Sequence, residues 1–374
     1  CLPPGFLAPI TETLKLLVQH YGVTVLFCTA TQPNLSRAEN AFGHTLFAGI
    51  ENVREIVPDP PALYDTLRRV QVHMPPRGVR SNWEEIAARI LQHEQTLSIV
   101  NTRSDCRALF KLLPTDSGRV HLSALMCAEH RGRVIAGIKQ CLRDGSLLHV
   151  VSTQLVEAGV DLDFPVVFRA LAGLDSIAQA AGRCNREGRM PTPGQTFVFR
   201  PLKPPPAGLM RDGADIAEQL LALDALEDML SPPVFQEYFR LFFARQNLDM
   251  HDIVGWLKPD RELAISFRTA AEKFRLIDEN GQASVIVPYC PPGLDESPIL
   301  MPLAALEKDP GAKWAYRHLQ RYTVNVAERL LNALLARQDV EVRAGLYVLR
   351  PSRYDADLGL LMPDDFDRPE NLMC

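Results

Sequence analysis

Apolar residues in the first two hundred positions alternate between two rhythms: short continuous runs, and longer stretches that return every third or fourth residue. Val23-Thr24-Val25-Leu26-Phe27-Cys28 is a continuous run, suited to a strand buried on both faces of a parallel sheet. Further strands are predicted over Thr96–Val100, Arg119–Leu122, Leu147–Val151, Pro165–Phe168 and Gln195–Phe199. Helices are predicted between them, at roughly 104–113, 129–142 and 175–184. Within 129–142, Val134, Ile135, Ile138, Cys141 and Leu142 fall on one face at helical spacing. Strands alternating with helices of this length predict an α/β fold with a doubly wound parallel sheet. Ligands on such sheets sit at the carboxyl ends of strands.

The flanks follow other patterns. Phe6 to His20 reads as a helix, with Ile10, Leu14, Leu17 and Val18 on one face. One helix cannot bury the Val23–Cys28 run, whose neighbours must come from elsewhere. Residues 57–83 are polar and proline-bearing, and read as a linker with one irregular strand. The proline-rich stretch Pro201–Gly208 is a stiff exit from the alternating region. Two helices are predicted after it, at about 213–230 and 233–245, and residues 259–374 read as mixed α+β. These changes of rhythm divide the chain into 1–60, 61–203, 204–258 and 259–374.

Composition narrows the classes. The 374 residues suffice for two or three domains, and 47% apolar content is ordinary for a packed protein. No apolar run approaches the roughly 18 residues of a membrane-spanning helix, so no membrane association is expected. No C-x-x-C pair occurs among the eight cysteines, so no metal site is expected; they read as reduced thiols of a cytoplasmic protein. The net charge of -5 argues against a broadly basic nucleic-acid binder. The halves differ, however: residues 1–200 carry 21 Lys and Arg against 18 Asp and Glu, and residues 201–374 carry 19 against 27. A polyanion site is therefore expected in the first half.

Four blocks where strand ends meet loops carry candidate chemistry. Thr29-Ala30-Thr31-Gln32-Pro33 offers small hydroxyl residues that can relay a change at a nucleotide to a strand, or simply a turn closed by proline. Asn101-Thr102-Arg103 suits a phosphate-backbone contact, while Thr102 also suits the N-cap of the next helix. Ser152, Thr153 and Gln154 offer donors to a polyanion. In the same block Gly159 permits close backbone approach, and Asp161 can accept a ribose hydroxyl or orient an arginine. Finally, Gln179, Arg183 and Arg186 are spaced four and three residues apart, so that two guanidiniums on one helical face can clamp phosphate oxygens and neutralise charge in phosphoryl transfer. His130-Arg131 reads either as a polar pair at a helix start or as a substrate contact. His251-Asp252 resembles a metal-nuclease dipeptide but reads as part of an ordinary helix.

Taken together, these blocks resemble a known family. Thr-Ala-Thr-Gln-Pro, His121-Leu122-Ser123 with Met126-Cys127 and His130-Arg131, the run from Ser152 to Phe164, and Gln179-Ala180-Ala181-Gly182-Arg183-Cys184-Asn185-Arg186 are similar to the helicase–nuclease of type I CRISPR systems, a superfamily 2 helicase. Asn185, where other superfamily 2 helicases usually carry glycine, with Gly188 after it, points to that branch. The resemblance covers residues 1–200 and continues more weakly through Leu319–Val324, Tyr354-Asp355 and Gly359-Leu360. It implies a remnant of a first RecA-like domain (1–60), a second RecA-like domain (61–203), a helical linker and an accessory domain. By the same resemblance Gln179, Arg183 and Arg186, with Asp161, Gly159 and Gly182, face ATP. Thr29, Ala30 and Thr31 couple hydrolysis to movement, and Asn101, Thr102, Arg103, Ser152, Thr153, Gln154, His130 and Arg131 lie along single-stranded DNA. The family uses ATP and Mg²⁺, moves 3′ to 5′, is recruited by the crRNA-guided surveillance complex, and cuts invader DNA with a transition-metal HD domain.

The sequence departs from the family in lacking the Gly-x-x-x-x-Gly-Lys-Ser/Thr phosphate loop, the Asp-Glu-x-His/Gln box and the HD domain. The family's Leu-Pro-Pro segment follows the acidic box, so the chain reads as beginning just after it. The expectation is negligible ATPase and nuclease activity for this chain alone, with the missing half lost or supplied by another chain. Two alternatives are a different superfamily 2 helicase acting on RNA or DNA, and a non-catalytic docking subunit.

Overall fold

The computed structural model describes residues 3–29, 31, 35, 37–39, 45–157, 159–223, 228–276 and 281–363. Two compact units are formed: Cys1–Arg68, Gly173–Ala178 and Asp212–Glu279 make up one, and Arg69–Ala172, Gln179–Arg211 and Asn280–Cys374 the other.

The second unit is built on a six-stranded sheet. Its strands are β1 (Val70–His73), β2 (Gln95–Ile99), β3 (Arg119–Leu122), β4 (Leu148–Ser152), β5 (Val166–Ala170) and β6 (Gly194–Phe199). They lie in the order β1-β6-β5-β2-β4-β3, and every pairing is parallel. Helices α1 (Trp83–Ile90), α2 (Arg103–Leu112), α3 (Ala128–Asp144) and α4 (Leu174–Ala181) connect them. Ile86, Ile90, Leu109 and Phe110 pack with Val151, Phe168 and Ala170 on one side of the sheet. Ile138 and Ala180 pack with Leu97, Leu148, Val150 and Val167 on the other. Consecutive residues of β4 and β5 thus enter opposite cores, which is why their sequences are mostly apolar rather than alternating, with His149, Ser152 and Arg169 as the polar exceptions. This is the doubly wound α/β sheet that the sequence pattern predicts.

Two local readings need correction. Val23–Cys28 does not form a strand: Val23 and Leu26 are 40% and 67% exposed. An apolar run becomes a strand only when a neighbouring strand pairs with its backbone, and no described strand pairs with this one. The stretch 57–83 is more regular than a linker. It contains a helix, Pro60–Leu67, capped by the Asp59 carboxylate, and β1, which extends the sheet alongside β6.

A second sheet follows in the same unit, with strands β7 (Gln282–Ile286), β8 (Thr323–Ala327), β9 (Val340–Arg343) and β10 (Leu346–Leu349) in the order β8-β7-β10-β9. Helices α5 (Leu300–Lys308), α6 (Lys313–Leu319) and α7 (Glu328–Ala336) contribute Leu303, Leu319 and Leu331 to its core. Leu125 and Cys127, from the loop after β3, are buried in that core as well. A short antiparallel pair, Tyr354–Asp355 with Gly359–Leu360, seals this contact: Leu360 N–H donates to Leu125 O at 2.9 Å. Gly359 lies at φ +77°, and a Cβ there would stand 2.5 Å from Leu125 O, so glycine is what allows the close approach.

In the first unit, the helix Leu7–Tyr21 ends at Gly22 in the left-handed conformation, a common helix stop. Two further helices, Leu209–Leu221 and Pro232–Ala244, bury Ile216, Leu220, Val234, Tyr238 and Phe243.

Candidate functional site

The candidate residues of the six-stranded unit separate into two groups. Asn101, Ser152, Thr153 and Gln154 follow the carboxyl ends of β2 and β4, which are adjacent. Thr102 caps α2 by accepting a hydrogen bond from Asp105 N–H at 3.0 Å, and Arg103 is the first residue of that helix. Ser152 is fully buried and donates to Leu122 O at 2.9 Å. Gln154 Nε2 stands 3.5 Å from Asn101 O.

The second group lies elsewhere. Helix α4 stops at Ala181, and the chain bends so that Phe164, just ahead of β5, pairs with Cys184 through backbone hydrogen bonds. Arg183 and Arg186 therefore sit near the amino end of β5, not at a carboxyl end, and they do not continue one helical face with Gln179. Asn185 explains the bend. It has φ +44°, a conformation asparagine tolerates better than most residues, and its side chain bonds to Arg69 O and Met190 N–H. Arg186 turns outward, with Nε 2.7 Å from Asp161 Oδ1; Asp163 accepts from the Arg186 N–H at 2.6 Å. Arg183 turns inward: it is 7% exposed and Nη2 donates to Glu157 O at 2.6 Å. Its buried Nε has no hydrogen-bond partner among the described residues. Burial, then the nearby Arg186 charge, push the Arg183 pKa down from the ordinary arginine value. Gly159 (φ +73°) and Gly182 are exposed in the same neighbourhood.

A buried network joins the two groups, and its centre was not singled out from the sequence. Arg169 in β5 is fully buried. Nη1 donates to Asn101 Oδ1 at 2.7 Å and to Ala170 O at 2.8 Å, and Nε lies 2.9 Å from Glu157 Oε1. Asn101 in turn donates to Leu171 O at 2.9 Å. The path runs Asn101–Arg169–Glu157–Arg183, from the carboxyl end of β2 to the inward arginine. The available signal was a single arginine inside the apolar run Val166–Ala172: a buried charge needs a partner.

His130 is 2% exposed. Its ring stacks on Tyr289 at 4.3 Å and Nδ1 shares a 2.9 Å hydrogen bond with the Tyr354 hydroxyl, which also accepts from Cys127 N–H at 3.1 Å. Arg131 donates to Met126 O at 3.1 Å. In the first unit Thr29 and Thr31 form a local turn, with Thr31 N–H 3.3 Å from Thr29 Oγ1, and Ala30 lies outside the described residues. His251 packs against Phe6 at 5.7 Å. Among the described residues, no group of three or more His, Cys, Asp or Glu could hold a metal ion, and no helix is long and apolar enough to cross a membrane.

Buried histidines give this unit an acid sensitivity. Burial holds His121 down at about 4, well below the ordinary histidine value, and lowers His130, His149 and His93 in the same direction. The unfolded chain takes up these protons near pH 6.5, the folded one only at lower pH. Stability is therefore complete above about pH 6.5 and lost as pH falls from there through about 4. Urea midpoints should drop between pH 7.5 and 5, and His121→Gln should flatten the dependence. An unchanged slope in that variant would exclude His121 as a source.

Sequence comparison adds a likeness to this geometry. Residues 92–189 match the family model described as CRISPR-associated nuclease/helicase Cas3, C-terminal. Over that stretch the chain is similar to the Cas3 C-terminal region. A Cas3 of Haloferax volcanii is 27% identical over 55% of this chain and 32% of its own length. The crystal structure of T. fusca Cas3 with AMPPNP superposes with a TM-score of 0.53 at 16% identity, over 79% of this chain and 42% of that one. A further CRISPR-associated protein of known structure gives a TM-score of 0.50 at 17% identity, over 95% of this chain and 46% of that one. The chain thus spans about a third of the length of the curated Cas3 relative it matches. These likenesses support a Cas3-like helicase C-terminal region on an α/β sheet.

Proposed function

We propose that this chain supplies the second RecA-like half of a Cas3-type, ATP-dependent, 3′ to 5′ single-stranded DNA translocase. In this reading Arg183, with Gln179 and Arg186, reaches nucleotide phosphate as an arginine finger, and Asp161, Gly159 and Gly182 line the same approach. Asn101, Thr102, Arg103 and Ser152–Gln154 follow the DNA backbone, joined by Arg131. His130 is better explained as a packing residue, because Tyr289 takes one face of its ring and Tyr354 its Nδ1. Thr29, Ala30 and Thr31 couple the first RecA-like half to the cycle. The domain limits of this proposal are 1–60, 61–203, 204–258 and 259–374. Recruitment by a type I CRISPR surveillance complex, cutting by an HD nuclease domain and a cytoplasmic setting complete the assignment.

One observation carries it: Arg183 is a buried guanidinium with an unpartnered Nε, tied through Glu157 and Arg169 to Asn101 at the other end of the sheet. Such a donor fits the oxygens of a phosphate. The chain fits only that end of a nucleotide, since no phosphate-loop lysine is present to hold ATP and no acidic box to hold Mg²⁺. The purified chain should therefore bind oligothymidylate while ATP turnover with Mg²⁺ stays at background. Robust DNA-stimulated turnover by the chain alone would overturn the division of the active site between halves.

A further inference from the structure

The accessory sheet presents a surface that the four sequence blocks leave unused. Residues 201–374 are acidic, with 19 Lys and Arg against 27 Asp and Glu. Within them, Lys313-Trp314-Ala315-Tyr316-Arg317-His318-Leu319-Gln320-Arg321 inverts the balance, holding three cations and no carboxylate. This segment is helix α6 and the 3-10 turn Gln320–Tyr322. Ala315 and Leu319 are buried in the core, so the opposite side of the helix is outward. Lys313 and Arg317 are one turn apart on that side, about 6 Å along the axis. Trp314 and Tyr316 flank them at 50% and 39% exposure. Neither Lys313 nor Arg317 forms an ion pair among the described residues.

We propose that this face of α6 binds single-stranded nucleic acid, with bases stacking on Trp314 and Tyr316 and phosphates meeting Lys313 and Arg317. The alternation of cations with exposed aromatics is the chemistry that holds unpaired bases without reading their sequence. Fully solvated cations alone would suit any polyanion; two large rings kept in water beside them favour a ligand with flat faces. The 3-10 turn after α6 is tied to helix α3. Arg321 Nη2 is 2.5 Å from Glu129 Oε2, in the first turn of α3, and Glu129 holds Arg133 at 3.1 Å. Helix α3 follows β3, whose Leu122 accepts the Ser152 hydroxyl. The identity of the ligand rests on the translocase reading; the surface itself does not.

The test uses the whole chain and labelled oligothymidylate, read by anisotropy and by tryptophan fluorescence in a Trp83→Phe/Trp256→Phe background that leaves Trp314. DNA should quench that fluorescence. Trp314→Ala should weaken binding about tenfold, within the range for loss of one stacked base. Trp314→Phe should retain most of the affinity. Lys313→Ala with Arg317→Ala should reduce the slope of log affinity on log salt by about 1.4, two single-strand phosphates' worth. Unchanged affinity and salt slope in these variants would overturn the proposal. Quenching by polyglutamate but not by oligothymidylate would do so too, assigning the face to an acidic protein. Asn101→Ala with Thr153→Ala separates the two readings. If only these variants lose DNA, the α6 surface fails and the strand-end contact stands; if only the α6 variants lose it, the reverse holds.

Discussion

Replacing Arg169 by methionine is expected to destabilise the six-stranded unit by about 3–5 kcal/mol, the cost of removing one partner from a buried ion pair. Methionine matches the arginine stem in length and apolar character, so the loss would come from the charge rather than from a cavity. Glu157 is buried 2.9 Å from Arg169 Nε, and the variant takes that compensation away. Asn101 also loses the donor to Oδ1, leaving a buried acceptor short of a bond. For a unit of this size the melting temperature should fall by roughly 10 °C. Adding Glu157→Leu removes the stranded carboxylate and should recover much of the loss, although a lysine at 169 should not, since one ammonium cannot serve both neighbours in the planar geometry. A melting temperature within a degree or two of the parent in Arg169→Met would show that the pair is not a stabilising contact.

The same residue shows how far the sequence could be read. Five strands of the main sheet were legible from short, largely apolar runs alternating with helical stretches: Gln95–Ile99, Arg119–Leu122, Leu148–Ser152, Val166–Ala170 and Gly194–Phe199. The sixth, Val70–His73, was legible only as one irregular strand within 57–83, because it keeps polar residues such as Gln71 and His73. Helix Trp83–Ile90 was announced by a capping box, Asn82 with Glu85, that the periodicity argument passed over. Val23–Cys28 failed in the opposite sense: the local pattern specified a strand, but pairing is a property of neighbours, and those were not in the run itself. Thr102 carries both readings at once, a helix cap in fact and a phosphate contact in prospect.

For the site, the order of the blocks was legible and their arrangement was not. The spacing of Gln179, Arg183 and Arg186 suggested one helical face, yet the helix stops at Ala181, ahead of both arginines, and a positive φ at Asn185 turns the chain between them. Periodicity assumes that the helix continues; a left-handed residue can break it in one step. The contacts that matter most, Arg169 with Asn101 and Glu157, connect residues 68 and 12 positions apart, and their pairing follows only from strand order. Similarly, the sequence left His130 open between a polar pair at a helix start and a substrate contact; it stands in the first turn of α3, and Tyr354, more than two hundred residues later, takes its Nδ1.

The largest functional effect is expected at Arg183. In an ATP-hydrolysing assembly of this chain with a first RecA-like half, Arg183→Ala should lower kcat by about 10³ or more, the scale of an arginine finger. The inward pose sets a condition on that role. Nη2 is held by Glu157 O at 2.6 Å, so either the guanidinium leaves this carbonyl when nucleotide arrives, or it stays there and offers Nε. Both routes use charge that burial has already made costly, which favours meeting a phosphate over remaining alone. Arg183→Lys should fail to restore turnover, because a single ammonium cannot hold the carbonyl and a phosphate oxygen along two fixed directions. Arg186→Ala should do less: its ion pair with Asp161 is partly exposed, and such pairs contribute at most about 1 kcal/mol. Melting curves should show the Arg183 variants still folded at the assay temperature while kcat collapses. If Arg183→Ala keeps turnover within about threefold, under 1 kcal/mol of transition-state stabilisation, the inward arginine is a structural strut and the phosphate-facing group must be sought elsewhere.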